Sequence, residues 1–203
     1  MHSQNREEEY ILNYFGDKIG TFLSIGENDG LTFSNVRALA LRGWKGVAVE
    51  PSPKAFEKLK ELYKGHKGIY CYQYAISSHN GKAMLQESGP LIDSRDVALV
   101  STFHESEMKR FRTTVNYVPV EVQTFKWKTF LNRLRIKEFN MISMDIENDE
   151  LNVLPDMDLS ATDLICIEHN GSDDKKKAYL HYTSKYGINK IIYESGENLI
   201  IVK

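Results

Sequence analysis

Short apolar runs separated by glycine and polar turns recur along the chain, and between them apolar residues fall at helical spacing. Phe22-Leu23-Ser24-Ile25 is the first such run. It breaks into Gly26-Glu27-Asn28-Asp29-Gly30, after which the spacing predicts a helix from Leu31 to Leu41 with Val36, Leu39 and Ala40 on its buried face. Gly46-Val47-Ala48-Val49-Glu50 reads as a second strand that ends on an acid, and Pro51 and Pro53 close it and open a helix burying Phe56, Leu59, Leu62 and Tyr63. Ile69 to Ile76 is rich in β-formers and predicts a third strand. Phe139 to Glu147 and Asp163 to Asn170 predict a fourth and a fifth. Helices are expected within Gln4 to Phe15, closed by Gly16, and over Lys175 to Tyr186, stopped by Gly187. Strands that alternate with helices in this way specify an α/β fold around a mostly parallel sheet.

The remaining segments depart from that rhythm. Ser78-His79-Asn80-Gly81 reads as a hairpin turn into Lys82 to Glu87, and Glu121 to Phe125 predicts a strand followed by a helix from Trp127 to Leu134. From Ser88 to Pro119 no core pattern is visible. A stretch of that length within one domain reads as a flap over the acceptor side of a site, with a disordered insertion as the alternative. A short helix from His104 to Phe111 would present Arg110 and Arg112 either to an anionic acceptor or to solvent. Ile188 to Glu194 and Leu199 to Lys203 read as an antiparallel hairpin, which argues against an all-parallel dehydrogenase sheet.

Composition narrows this picture. The 203 residues suffice for one well-buried domain and are short for two. A formal net charge of -2 gives no reason to expect nucleic acid as a polyanionic partner. No apolar run approaches the ~20 residues of a membrane helix, and Met1 to Tyr10 is polar, so a cytoplasmic location is expected. Cys71 and Cys166 fall inside strands without a second cysteine nearby and read as reduced core thiols; the histidines offer no zinc spacing.

Candidate chemistry gathers at the strand ends. A strand that breaks into Gly26 to Gly30 before a helix brings bare main chain and N–H groups to one spot, where a nucleotide-like ligand can sit. Glu50 lies twenty residues past Gly30, at the tip of the second strand, where an acid accepts hydrogen bonds from ribose hydroxyls. That order predicts an adenosine-type ligand. In parallel sheets ligands bind beyond the C-terminal strand ends, so Asp145 and Glu147 are expected to face the same crevice.

At these residues the chain resembles the FkbM family of S-adenosylmethionine-dependent methyltransferases, whose members typically carry F-[LV]-D-[IV]-G-A-N-D-G, then E-P-x-P, then D-[IV]-E-G-x-E. The matching segments are Phe22 to Gly30, Glu50-Pro51-Ser52-Pro53 and Asp145-Ile146-Glu147-Asn148-Asp149-Glu150. The lead-ins Ser3-Gln4 and Gly20-Thr21-Phe22 extend the likeness over nearly the whole chain. The resemblance implies a Rossmann-like, seven-stranded sheet, mostly parallel with a C-terminal antiparallel hairpin. It also implies S-adenosyl-L-methionine held by Gly26, Glu27, Asn28, Asp29, Gly30, Glu50, Pro51, Asp145 and Glu147, with Ala75 and Ile76 about the adenine. Asp145 is expected nearest the transferring methyl group. Two positions depart from the pattern: Ser24 stands where the family has an aspartate that helps hold the methionine end, and Asn148 stands where it has glycine.

Methyl transfer to a hydroxyl needs alignment, exclusion of water and removal of a proton. His169, at the tip of the fifth strand, is the first candidate base and His104 the second. Each can equally be a structural histidine. No metal ligand set is assigned; a divalent cation held by Asp145 or Glu147 with Asn170 is the lesser alternative. The expected activity is O-methylation of a hydroxyl on a saccharide, glycolipid or secondary metabolite, the acceptor class coming from the resemblance. A noncatalytic module that retains the fold is the alternative. A nicotinamide-dependent oxidoreductase is the weaker one, because Asn28 occupies the middle glycine of G-x-G-x-x-G.

Overall fold

A computed structural model describes residues 1–89, 98–111 and 113–203. Arg112 and the part of the expected flap at 90–97 lie outside the described residues. The helices are α1 (Glu7–Phe15), α2 (Arg37–Leu41), α3 (Pro53–Leu62), α4 (Glu105–Phe111), α5 (Trp127–Leu131), α6 (Glu150–Val153) and α7 (Asp173–Thr183). The strands are β1 (Thr21–Ile25), β2 (Lys45–Val49), β3 (Ile69–Tyr72), β4 (Ala75–Ile76), β5 (Gly81–Ser88), β6 (Tyr117–Phe125), β7 (Met141–Met144), β8 (Leu164–Glu168), β9 (Lys190–Glu194) and β10 (Asn198–Val202).

Seven strands form one sheet in the order β3-β2-β1-β7-β8-β10-β9. Five run parallel, and β10 pairs antiparallel with both β8 and β9, so the expected C-terminal hairpin closes the sheet. The chain steps outward from β1 through β2 to β3 and then returns to lay β7 on the other flank of β1. The order therefore reverses between β1 and β7, and a crevice opens there beyond the C-terminal strand ends.

Strand alternation sorts the core into two faces. Leu23, Ile25, Val47, Val49, Ile142, Met144, Ile165 and Ile167 point to one face, covered by Trp127, Phe130 and Tyr179. Phe22, Ala48, Met141, Cys166 and Ile200 point to the other, covered by Ile11, Phe15, Leu39, Trp44 and Leu59. Residues buried on both sides produce the continuous apolar runs visible in the sequence. Burial also raises the Cys166 thiol well above the usual range and pushes Cys71 up to about 12, so both stay protonated and unreactive.

Three expectations change. The helix expected from Leu31 begins only at Arg37, because the Asp29 carboxylate accepts from Leu31 N and Thr32 N at 2.9 and 2.7 Å and the Ser34 hydroxyl accepts from Arg37 N at 3.0 Å. Those side chains hold the residues after Gly30 in turns. The third strand divides: β3 joins the main sheet, whereas β4 leaves it to pair with β6 in a three-stranded sheet ordered β4-β6-β5. The turn at Ser78 to Gly81 consequently does not close a hairpin. Both β4 and β5 pair with β6, which begins at Tyr117 rather than Glu121.

Candidate functional site

The crevice at the β1/β7 switch point is a cavity of about 340 Å³, within the size range of small-molecule sites, roughly 300–1,000 Å³. Four strand ends supply its walls. From β1 come Ser24 and the turn Gly26-Glu27-Asn28; from β2 come Glu50 and Pro51; from β7 come Asp145 and Glu147; from β8 come Glu168 and Asn170. Gly26, Glu50 and Asp145, far apart in sequence, thus meet at one rim.

Left-handed backbone makes these loops turn inward. Positive φ occurs at Gly26 (81°) and Asn28 (52°) after β1, at Glu147 (51°) and Asn148 (82°) after β7, and at Asn170 (50°) and Gly171 (70°) after β8. Asparagine tolerates that region better than most residues, which explains how Asn148 serves at a position where glycine is expected. At Gly26 the requirement is also steric: a Cβ would stand 1.7 Å from the Asp145 carbonyl oxygen. Only bare main chain fits between β1 and β7 at this point.

On the β1/β2 side every buried acid has donors. Glu27 accepts from the hydroxyls of Ser24 and Ser34 at 2.5 and 2.6 Å. Burial nevertheless holds its carboxyl up at about 7, against the pull of those two bonds. Ser24 therefore does not leave the β1 tip without an acid, because its hydroxyl anchors the Glu27 carboxylate there. Glu50 accepts from Asn28 N at 2.9 Å and Ser52 N at 2.8 Å, and burial raises it to about 7 as well. Two bonds leave part of its capacity of about four lone-pair sites free.

On the β7/β8 side the arrangement differs. Asp145 is accessible from the cavity yet enclosed by protein, and desolvation together with repulsion from Glu150 raises its carboxyl to about 7. Glu147 and Glu168 are raised well above the usual carboxylate range, first by desolvation and then by Asp145. One oxygen from each of the three lies within 4.8 Å of the other two. Behind them Glu150, fully buried, accepts from Ile146 N, Asn148 N and Lys175 Nζ at 3.1, 3.3 and 3.1 Å and so fixes the loop after β7.

Described residues of the expected flap border the cavity. Ala98 to Ser101, Phe103, Arg110 and Phe111 contribute to its wall. They are tied to the β7 loop by the Thr102 hydroxyl donating to Glu147 O at 3.3 Å and by Asn148 Nδ2 donating to Glu107 at 2.5 Å. Arg110 pairs with Glu107 at 3.3 Å and lies over the Phe111 ring. On the apolar side Ala75 and Ile76, delivered by β4, border the same space.

Four of the expected site residues stand elsewhere. Asp29 is occupied with the N–H groups of the following turn, and Gly30 packs where a Cβ would meet Leu59 and Leu62 at 2.7 and 2.9 Å. His169 is 1% exposed, is not part of the cavity wall, and its Nδ1 accepts from Gly171 N at 3.0 Å, the turn-capping role that a histidine at a strand end also permits. His104 lies behind the wall with Nε2 3.9 Å from Asp149 Oδ1. Glu168, beside the expected His169, faces the cavity from the end of β8. The signal was present: like Glu50, it is an acid at the end of an apolar strand.

A profile described as "Methyltransferase FkbM domain" matches residues 24–190. The chain belongs to the FkbM methyltransferase family. Among solved structures, the FkbM methyltransferase from Methylobacillus flagellatus KT is similar in fold, with a TM-score of 0.57 and 10% identity over 92% of this chain and 44% of that one. Monomeric WbdD is similar with a TM-score of 0.53 and 10% identity over 98% of this chain and 41% of that one. This chain thus spans less than half the length of either. No curated protein matches it in sequence. Among the described residues no helix is long and apolar enough to cross a membrane.

Membership of this family implies S-adenosylmethionine as methyl donor, and the cavity fits such a group. Asn28 Oδ1, buried at the wall, has no hydrogen-bond partner among the described residues and is free to meet a ligand donor.

Proposed function

We propose that this FkbM domain is an S-adenosylmethionine-dependent O-methyltransferase acting on a hydroxyl of a saccharide, glycolipid or secondary metabolite. The observation that carries this reading is the convergence of Gly26, Glu50, Ile76 and Asp145 on one cavity at the switch point of the sheet. S-adenosylmethionine, when bound, supplies a methyl group carried on a positively charged sulfur. The main chain of Gly26 and Asn28 lets a ligand approach closely, the spare lone pairs of Glu50 accept ribose hydroxyls, and Ala75 with Ile76 offer apolar contact to a base.

Asp145 takes the role of base. It is open to the cavity, and a carboxyl held near 7 is matched to removing a proton from an acceptor hydroxyl at neutral pH. Phe103 and Phe111 exclude water from the same space. The wall carries Glu27, Glu50, Asp145, Glu147, Asp149, Glu168 and Glu197 against Arg110, so even with the raised acids protonated it offers no cationic face to polyphosphate, which supports a neutral, hydroxyl-rich acceptor over nucleic acid.

Calorimetry with S-adenosylhomocysteine is the direct test. Saturable binding in the micromolar range is expected, and Glu50→Gln should weaken it about tenfold through loss of charge-assisted hydrogen bonds. No heat at millimolar ligand would leave a noncatalytic module as the reading. With binding established, transfer of labelled methyl to a panel of glycans and polyols, lost in Asp145→Asn, tests the acceptor class.

A further inference from the structure

We propose that Asp145, Glu147 and Glu168 form a divalent-cation site at the tips of β7 and β8. The strands lie parallel with Met144 opposite Ile167, so the next step sets Asp145 opposite Glu168. The left-handed turn at Glu147 and Asn148 then bends the third carboxylate back toward the first.

Distance fits the chemistry. Ligand oxygens on one ion can be separated by at most twice the metal–oxygen distance, which is about 4.2 Å for Mg²⁺ and about 4.6–5.2 Å for Ca²⁺. The three carboxylates each place an oxygen within 4.8 Å of the other two. That suits calcium directly and magnesium after a small closure. An all-carboxylate set selects hard cations over zinc or copper.

The second observation is what these acids lack. Glu168 is 6% exposed and its buried Oε2 has no hydrogen-bond partner among the described residues. Elsewhere this fold satisfies its buried acids: Glu27 by two serines, Glu50 by two backbone N–H groups, Glu150 by two N–H groups and Lys175. The neighbouring cations are committed elsewhere, Lys175 to Glu150 at 3.1 Å and Arg110 to Glu107 at 3.3 Å. A buried carboxylate without a donor, facing two more carboxylates, is strongly unfavourable as an anion and must be neutralised by a proton or by a cation that joins the three. Three protein oxygens leave at least three positions on such an ion, open toward the cavity for water or for the oxygens of an acceptor; with the ion in place Asp145 would act as a ligand, and the ion would ease loss of the acceptor's proton in place of a free Asp145 base.

Binding of the ion does not depend on methyl transfer, so it is measured without donor or acceptor. The full chain, stripped with chelator and desalted, is melted at pH 7.5 with CaCl₂ or MgCl₂ against NaCl of equal ionic strength. At a cation concentration one hundred times Kd the midpoint should rise by roughly 5 °C or more. Glu147→Gln and Glu168→Gln should each abolish that rise while melting, without cation, no lower than the wild type, because each removes a repelling charge. Absence of a rise with either cation, or an undiminished rise in the double variant, overturns the proposal. An equal rise with a small diamine assigns the cluster to an amine and overturns it as well. Binding of S-adenosylhomocysteine in chelator reports separately on the proposed function.

Discussion

The two halves of the cavity rim carry similar residues and treat them differently. On the β1/β2 side, Glu27 and Glu50 are buried and each accepts two donors supplied by β1 and the loops after β1 and β2. On the β7/β8 side, Glu168 is as deeply buried and its Oε2 has no hydrogen-bond partner among the described residues, with Asp145 and Glu147 close by. A satisfied buried acid holds a loop in shape, whereas an unsatisfied one is poised for something that arrives from outside the chain. Under the proposed function the first half serves as architecture and ligand cradle and the second carries the reactivity.

The largest effect is expected where the halves touch. Gly26→Ala would set a methyl against the Asp145 carbonyl at a φ of 81° and should cost about 4 kcal/mol or more. Urea unfolding measures it, and a loss below about 1 kcal/mol would mean that the halves are not in rigid contact. Next is the supporting acid of the reactive half. Glu150→Ala strips acceptors from Ile146 N and Asn148 N and leaves the half-buried Lys175 without its partner, for an expected cost of about 3 kcal/mol. If stability is instead unchanged, the loop after β7 is held by something other than Glu150.

The pH dependence isolates one satisfied acid, Glu27, by comparison with its neutral variant. Burial raises Glu27 from the usual carboxylate range to about 7, so the native state binds more protons than the unfolded state over that interval. The associated stability is complete below the unfolded value and is lost as pH rises through about 7. Melting temperature should therefore fall between pH 5 and pH 8, and Glu27→Gln should remove up to about 3 kcal/mol of that dependence. Parallel curves for the two proteins would remove Glu27 as a contributor. The smallest effect is expected at Asn148→Gly. Easier left-handed backbone offsets the lost bond to Glu107, leaving stability within about 1 kcal/mol, while amides of 98–111 exchange faster. Unchanged exchange would show that this tie does not hold the segment in place.

Much of this rim was legible in the chain. An apolar run ending on an acid marks a buried strand tip, and Glu50 and Asp145, which follow that pattern, both border the cavity. The same pattern held for Glu168, but the adjacent histidine drew attention because imidazole is the commoner base. Which of two neighbours faces a cavity depends on strand pleat and on the turn that follows, and neither Asn170 nor Gly171 announces a left-handed conformation in isolation. Asp29 and Gly30 read as ligand contacts for the opposite reason. They belong to a motif whose residues serve the turn as often as the ligand.

Hydrophobic periodicity by itself determined the α/β class, the five parallel strands and the closing hairpin, because burying alternate residues on two faces leaves a record in the order of apolar positions. The division of Ile69 to Ile76 between two sheets, and the contrast between partnered and unpartnered acids, were decided only by the tertiary structure. Hydrogen-bond donors for a buried carboxylate can come from residues distant in sequence, such as Asn28 for Glu50 and Lys175 for Glu150. Local pattern carries no trace of a donor that fails to arrive.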